Sequence, residues 1–302
     1  MPLHRLSAVH VRVARYAEFC DFYRRFGLEE IASGRFASAR GGQQLHVEPG
    51  DRNTVVEIVI GADAPSDLDA VEAGLQAAGH TPERPSSETL LVAEPTTGIT
   101  IRVTVEPRVP AIRPRGGIPE VNRAELVGRA RVRPQRLGHM VLGCPDVDAV
   151  NRFFTECLGM RISDEVIGAV FLRFDTDHHN LAFLRSDHTW LHHMAWKVGS
   201  VDEVGYGAMQ LIDHDQSTNC YGLGRHAASA NYFWYLRDPS GSLAEYYHSE
   251  FDDLVDDAEF WNPVPNQAPM PVASWGPSLP PTFFAPTGQL SAGATQPGEE
   301  GP

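Results

Sequence analysis

The chain has 302 residues, enough for two ordinary domains that each bury a core. A hydrophobic share of 42% with 21% charged residues is that of a globular protein, and a formal net charge of −14 excludes a general nucleic-acid binder, which must neutralise phosphates in bulk. No apolar run approaches the ~20 residues that span a bilayer and Met1-Pro2-Leu3-His4-Arg5 lacks an apolar secretory core, so no membrane or nucleic-acid partner is expected and a cytoplasmic location is.

Along the chain one pattern recurs four times: a strand, a helix of about three turns, then strands closed by a glycine turn. The first copy opens at Leu6–Val13, whose apolar residues alternate with period two; an amphipathic helix follows over Tyr16–Phe26 and stops at Gly27. The second opens at Thr54–Ile60, with a helix from an N-cap at Asp67 to Ala78 and a strand at Thr100–Thr104. Arg108–Arg136 holds eight Arg and no Lys among Pro and Gly, which reads as a solvated linker.

The third copy opens at Leu137, and its helix runs from an Asp146 cap over Val147–Leu158 to Gly159. The fourth opens at Leu191, with a helix over Val201–Ile212 and strands at Tyr232–Leu236 and Leu243–Tyr247. The organisation expected is an N-terminal domain at 5–106, a linker at 107–135, a C-terminal domain at 136–250, and a C-terminal helix with a Pro-rich tail at 251–302. Cys20, Cys144, Cys157 and Cys220 lack CxxC or zinc-type spacing and read as reduced thiols.

Three polar residues interrupt apolar strands of the C-terminal half: His139 in Leu137-Gly-His-Met-Val-Leu142, His193 in Leu191-His-His-Met-Ala-Trp196, and Glu245 in Leu243-Ala-Glu-Tyr-Tyr247. Two imidazoles and a carboxylate are the facial set that holds Fe(II) or Mn(II) and leaves one face of the octahedron open. Open positions imply a further ligand, hence an enzyme. His192 must point to the opposite strand face from His193 under strict alternation.

A βαβββ unit used in pairs, with candidate ligands on strands of one pair, resembles the vicinal oxygen chelate superfamily. That implies an α+β fold of four modules paired into two open barrels. Asp177-His-His-Asn180, Leu191-His-His-Met194, Gly224-Arg-His226 and Tyr235-Leu-Arg-Asp-Pro-Ser-Gly241, ending in Ala-Glu-Tyr-Tyr247, resemble the type I extradiol catechol dioxygenases. The resemblance covers about residues 5–250 and is specific in the C-terminal half.

It implies one Fe(II) per chain, with Mn(II) as the alternative, held by His139, His193 and Glu245. The substrates it implies are a catechol, of the kind met in aromatic hydrocarbon catabolism, and O2; a homo-oligomer is the expected assembly. His179 would be the acid–base group beside the oxygen position, and His226 and Tyr235 would handle the catechol proton. Many relatives carry an acidic residue where this chain has Ser229, with Asn231 available as a substitute hydrogen-bonding partner. Trp190, Phe233, Trp234 and Tyr246 would supply aromatic surface near the site.

Aligning the two halves sets Arg102 against Glu245 and Val55 against His193, so the N-terminal domain is expected to have lost the metal. The alternatives are a glyoxalase-like metal-dependent lyase or isomerase, a 4-hydroxyphenylpyruvate dioxygenase-like enzyme, and a non-catalytic bleomycin-resistance-like binding protein.

Overall fold

Alternation in Leu3–Val13 buries Leu6, Val9, Val11 and Val13 and makes this segment, β1, a central strand of the first sheet. A computed structural model describes residues 3–109, 131–250 and 270–285. After β1 come β2 (Glu29–Ala32), β3 (Arg35–Ser38), β4 (Gly42–Pro49), β5 (Thr54–Ala62), β6 (Glu83–Ser86), β7 (Thr89–Ala93) and β8 (Thr100–Val105). Their order across the sheet is β2-β3-β4-β1-β5-β8-β7-β6, with β1 parallel to β4 and antiparallel to β5.

The second half repeats this topology. β9 (Arg136–Cys144), β10 (Arg161–Val166), β11 (Ala169–Arg173), β12 (Leu181–Arg185), β13 (Trp190–Lys197), β14 (Asn219–His226), β15 (Tyr232–Arg237) and β16 (Leu243–His248) follow in the chain. They are ordered β10-β11-β12-β9-β13-β16-β15-β14, and β17 (Ala273–Trp275) adds to the edge at β14. Neither sheet closes on itself.

Helices α1 (Tyr16–Arg25), α2 (Pro65–Ala77), α3 (Val147–Arg152) and α4 (Val201–Ile212) connect strands within the modules. Two helical expectations need correction. Asp67 is not the N-cap of α2: Pro65, with its fixed φ and missing N–H, begins the helix after Ala64, and Asp67 Oδ2 reaches back to accept from the Ala64 N–H at 2.8 Å. The third helix is α-helical only to Arg152, and Phe153–Cys157 forms a wider π turn that buries Phe153, Phe154 and Cys157. Asp146 does cap α3, accepting from Ala149 N–H at 2.9 Å.

One apolar core runs through both halves. Phe26 stacks on Tyr246 with centroids 3.9 Å apart, and Tyr246 donates to the Phe26 carbonyl at 2.6 Å. Gly27, at φ +97°, lies so close to Val132 that a Cβ would sit 1.9 Å from its carbonyl oxygen; only glycine ends α1 against the segment that leads into β9. Tyr23 donates to buried Asp238 at 3.2 Å, and Gln44 accepts from Leu137 N–H at 2.8 Å.

Most of the expected linker and the helix expected after residue 251 lie outside the described residues. Among the described residues no helix is long and apolar enough to cross a membrane.

Candidate metal centre

In the ladder of the second sheet, Ala195 on β13 pairs with His139 on β9 to one side and Glu245 on β16 to the other. A small side chain between them leaves room for the two polar groups to meet. His193, two residues along, completes the group, and the candidate ligand atoms of all three lie within 4.8 Å of one another. Glu245 Oε2 is 3.1 Å from His139 Nε2 and 3.3 Å from His193 Nε2. Ligands bonded at about 2.1 Å stand about 3 Å apart on one face of an octahedron.

Glu245 is fully buried. Its contacts include three imidazoles, with His226 Nε2 3.7 Å from Oε1. Burial pushes its carboxyl upward, but the imidazoles around it, His139 first, outweigh this and hold it well below the usual range. Both Glu245 Oε1 and His193 Nε2 are buried with no hydrogen-bond partner. Orphaned polar atoms of this kind are rare and costly, and a divalent cation among them resolves the cost. The residues present fit a metal.

Two hydrogen-bond chains orient the histidines. The Phe283 carbonyl can only accept, so His192 Nε2 carries the proton of their 2.9 Å bond. His192 Nδ1 is then the acceptor for His193 Nδ1–H at 2.6 Å, which leaves the lone pair of His193 on Nε2, facing Glu245. The second chain is analogous: Asp164 accepts from His178 Nε2 at 2.9 Å, and His178 Nδ1 accepts from His179 Nδ1–H at 3.0 Å. His179 therefore presents an acceptor Nε2. Burial, then the like charge of His139, holds its pKa well below the ordinary histidine value, so it is neutral.

The first chain corrects the expectation for His192. Its ring does not turn to the opposite face; it lines the same cavity as His193. The cause is a β-bulge between Leu191 and His193, which breaks period-two alternation at this point. Burial lowers the His192 pKa to about 4.

His179 lies beside His139, ring centroids 4.0 Å apart. His226 donates from Nδ1 to the Val272 carbonyl at 2.9 Å, so its Nε2 accepts from Tyr235 OH at 2.8 Å. Burial, then the charge of Glu245, raises the Tyr235 pKa well above the ordinary phenol value. The structure thus brings together all six residues singled out in the sequence. Ser229 is buried on the cavity wall, and its hydroxyl bonds the Asn231 side chain.

Above the ligands opens a cavity of about 470 Å³ with mainly apolar walls, including Val141, Phe171, Leu184, Trp190, Phe283 and Phe284. Of the aromatics expected here, Trp190 is in place, with Gly143 clearing space against its indole. Phe233 stacks behind His226 at 4.1 Å. Trp234 and Tyr246 point elsewhere, toward Asn219 and Phe26 respectively. The segment 270–285 forms one wall, and its Val272 and Phe283 carbonyls are the acceptors that end two of the imidazole chains. Sequence reasoning missed that role, as it missed Asp164; neither contact has a local signal.

The two sheets also align by register. Arg102 and Val59 of the first occupy the rung of Glu245 and Ala195 in the second, which places Ala8 at the position of His139. Glu57, rather than Val55, corresponds to His193, because Glu57 pairs with Thr100 as His193 pairs with Leu243. Arg102 donates to Glu57 at 2.7 Å, so an ion pair stands where the second sheet gathers its ligands.

Residues 136–246 match the family model of the Glyoxalase/Bleomycin resistance protein/Dioxygenase superfamily. Metapyrocatechase 2 of Cupriavidus necator is 38% identical over 156 residues, 51% of this chain and 48% of that protein. The match thus spans about half the length of this curated relative. Homoprotocatechuate 2,3-dioxygenase from Brevibacterium fuscum, solved with 3,4-dihydroxyphenylacetate, superposes with a TM-score of 0.74 at 18% identity over 93% of this chain and 91% of that one. The Mn(II)-bound glyoxalase from Novosphingobium aromaticivorans superposes at 0.72 with 24% identity over 93% and 94%. These likenesses establish the α+β fold of paired open sheets.

Proposed function

We propose that this chain, whose residues 136–246 belong to the Glyoxalase/Bleomycin resistance protein/Dioxygenase superfamily, is an extradiol dioxygenase that cleaves a catechol with O2. His139, His193 and Glu245 hold the metal, Fe(II) with Mn(II) as the alternative. When bound, it supplies the adjacent coordination sites and redox chemistry that bring a catecholate and O2 together. Both oxygen atoms enter the product as the ring bond beside the diol breaks, so catechol and O2 are consumed one to one.

The remaining steps fall to protein groups. A chelating catechol must lose at least one hydroxyl proton, and the imidazole of His226, bridged to Tyr235 OH at 2.8 Å, takes up or orients it. His179, with an acceptor at Nε2, takes up the second hydroxyl proton and returns it as the ring opens. The apolar cavity excludes water from these transfers and suits a catechol bearing an apolar substituent.

One observation carries this reading: His179, His226 and Tyr235 surround the same buried His-His-Glu cluster. A glyoxalase-like isomerase needs the ligands but not this trio, and a metal-free binding protein needs neither. The likeness to metapyrocatechase 2 supports the same activity. The proposal includes the domain bounds 5–106 and 136–250, a cytoplasmic location and a homo-oligomeric assembly. The test is anaerobic Fe(II) loading followed by a panel of catechols and admission of air. A coloured ring-fission product is expected; uniform lack of product across mono- and biaryl catechols refutes the activity.

A further inference from the structure

The first sheet lacks ligands at the pseudo-equivalent rung, but three converge on neighbouring positions. His10 on β1 pairs with His46 on the adjacent β4, and Glu48 lies two residues beyond His46 on that strand. Their candidate ligand atoms all lie within 4.8 Å of one another. We propose that His10, His46 and Glu48 form a second metal site for a zinc-class divalent ion, distinct from the catalytic cluster and serving to tie β1 to β4.

The geometry supports it. Glu48 Oε1 is 3.3 Å from His10 Nε2 and 3.9 Å from His46 Nε2. Ligands at about 2.0–2.2 Å around tetrahedral zinc stand roughly 3.4 Å apart. His10 Nε2 is buried with no hydrogen-bond partner. The two imidazoles stack with centroids 4.0 Å apart, an arrangement that two cations would oppose.

Arg12 is the competitor, 3.5 Å from Glu48 Oε2, but its side chain is 43% exposed and Glu48 presents its other oxygen to the histidines. The register gives the site a place in the fold. His10, His46 and Glu48 correspond to Val141, Ala182 and Leu184 of the second sheet, two of which line the cavity there. The first sheet therefore carries its potential ligands one step from where the second carries its own.

The test is calorimetric titration of the chelator-stripped full chain with zinc. Wild type is expected to take up two ions per chain, and His46→Ala and His193→Ala one each. A His46→Ala chain that matches the wild-type stoichiometry overturns the proposal. Failure of the catalytic assignment is separable, because it shows instead as wild-type stoichiometry in His193→Ala. Should His46→Ala lose its far-UV dichroism, melting decides: zinc should raise the Tm of His193→Ala and lose this effect in His193→Ala/Glu48→Gln. An undiminished rise in the double variant overturns the second site equally.

Discussion

The Nδ1 nitrogens of His192 and His193 lie 2.6 Å apart, and the far nitrogen of His192 donates to the Phe283 carbonyl. A backbone acceptor some ninety residues downstream thus fixes that His193 turns the lone pair of its Nε2 toward Glu245. Partners of this kind are typically worth roughly 10–100-fold in metal affinity. His192→Phe keeps a ring in the space but offers no acceptor. Its Fe(II) dissociation constant, measured anaerobically, should rise by that factor with the fold intact; an unchanged constant contradicts the relay.

His179 is held by Asp164 through His178 and lies outside the converging group of His139, His193 and Glu245. His179→Gln should therefore retain Fe(II) and bind catechol nearly normally. Turnover should fall by something like the ~10²–10⁴-fold typical of a lost acid–base group. Steady-state rates beside iron content decide. Near-normal turnover removes the catalytic role, and lost iron would make His179 a ligand.

Asp238 links the two halves through Tyr23, and burial raises its carboxyl from 3.8 to about 6 against the bonds from Ser240 and Tyr23. Between those pH values the folded chain keeps a proton that the unfolded chain has lost. This contribution to stability is present at low pH and is lost as pH rises through about 6, at a cost of roughly 2–3 kcal/mol. Asp238→Asn should thus gain stability on wild type between pH 4 and pH 7. Urea unfolding of both at each pH measures it, and a constant difference would contradict the assignment.

Tyr246 and Trp196 are buried in the shared core, with Phe26 stacked on the former. A fragment of residues 136–302 would expose that face and should aggregate. Light scattering after size exclusion reads the outcome. A monodisperse, fully active fragment would show that the first half is dispensable.

The candidate ligands were legible because His139, His193 and Glu245 are polar interruptions of apolar strands, and the duplicated topology because its modules repeat at the level of pattern. His192 was misread because a bulge shifts the face of a strand without changing its composition. Val55 was set where the ladder places Glu57, two residues away, because the apolar pattern alone does not fix which rung of β5 matches β13. Trp234 was readable after all: on β15 the alternation that turns Phe233 and Tyr235 toward His226 turns Trp234 away. The role of Phe283 had no local signal, since it depends on where a distant Pro-rich segment returns to the sheet.

The most direct test of the central claim is oxygen uptake by the Fe(II)-loaded chain with a catechol it turns over, followed in an electrode beside product absorbance. The account predicts one O2 consumed per catechol, no oxygen returned on adding catalase, and loss of both signals in His193→Ala. Product without oxygen uptake, or uptake that catalase half reverses, would contradict ring cleavage by this site.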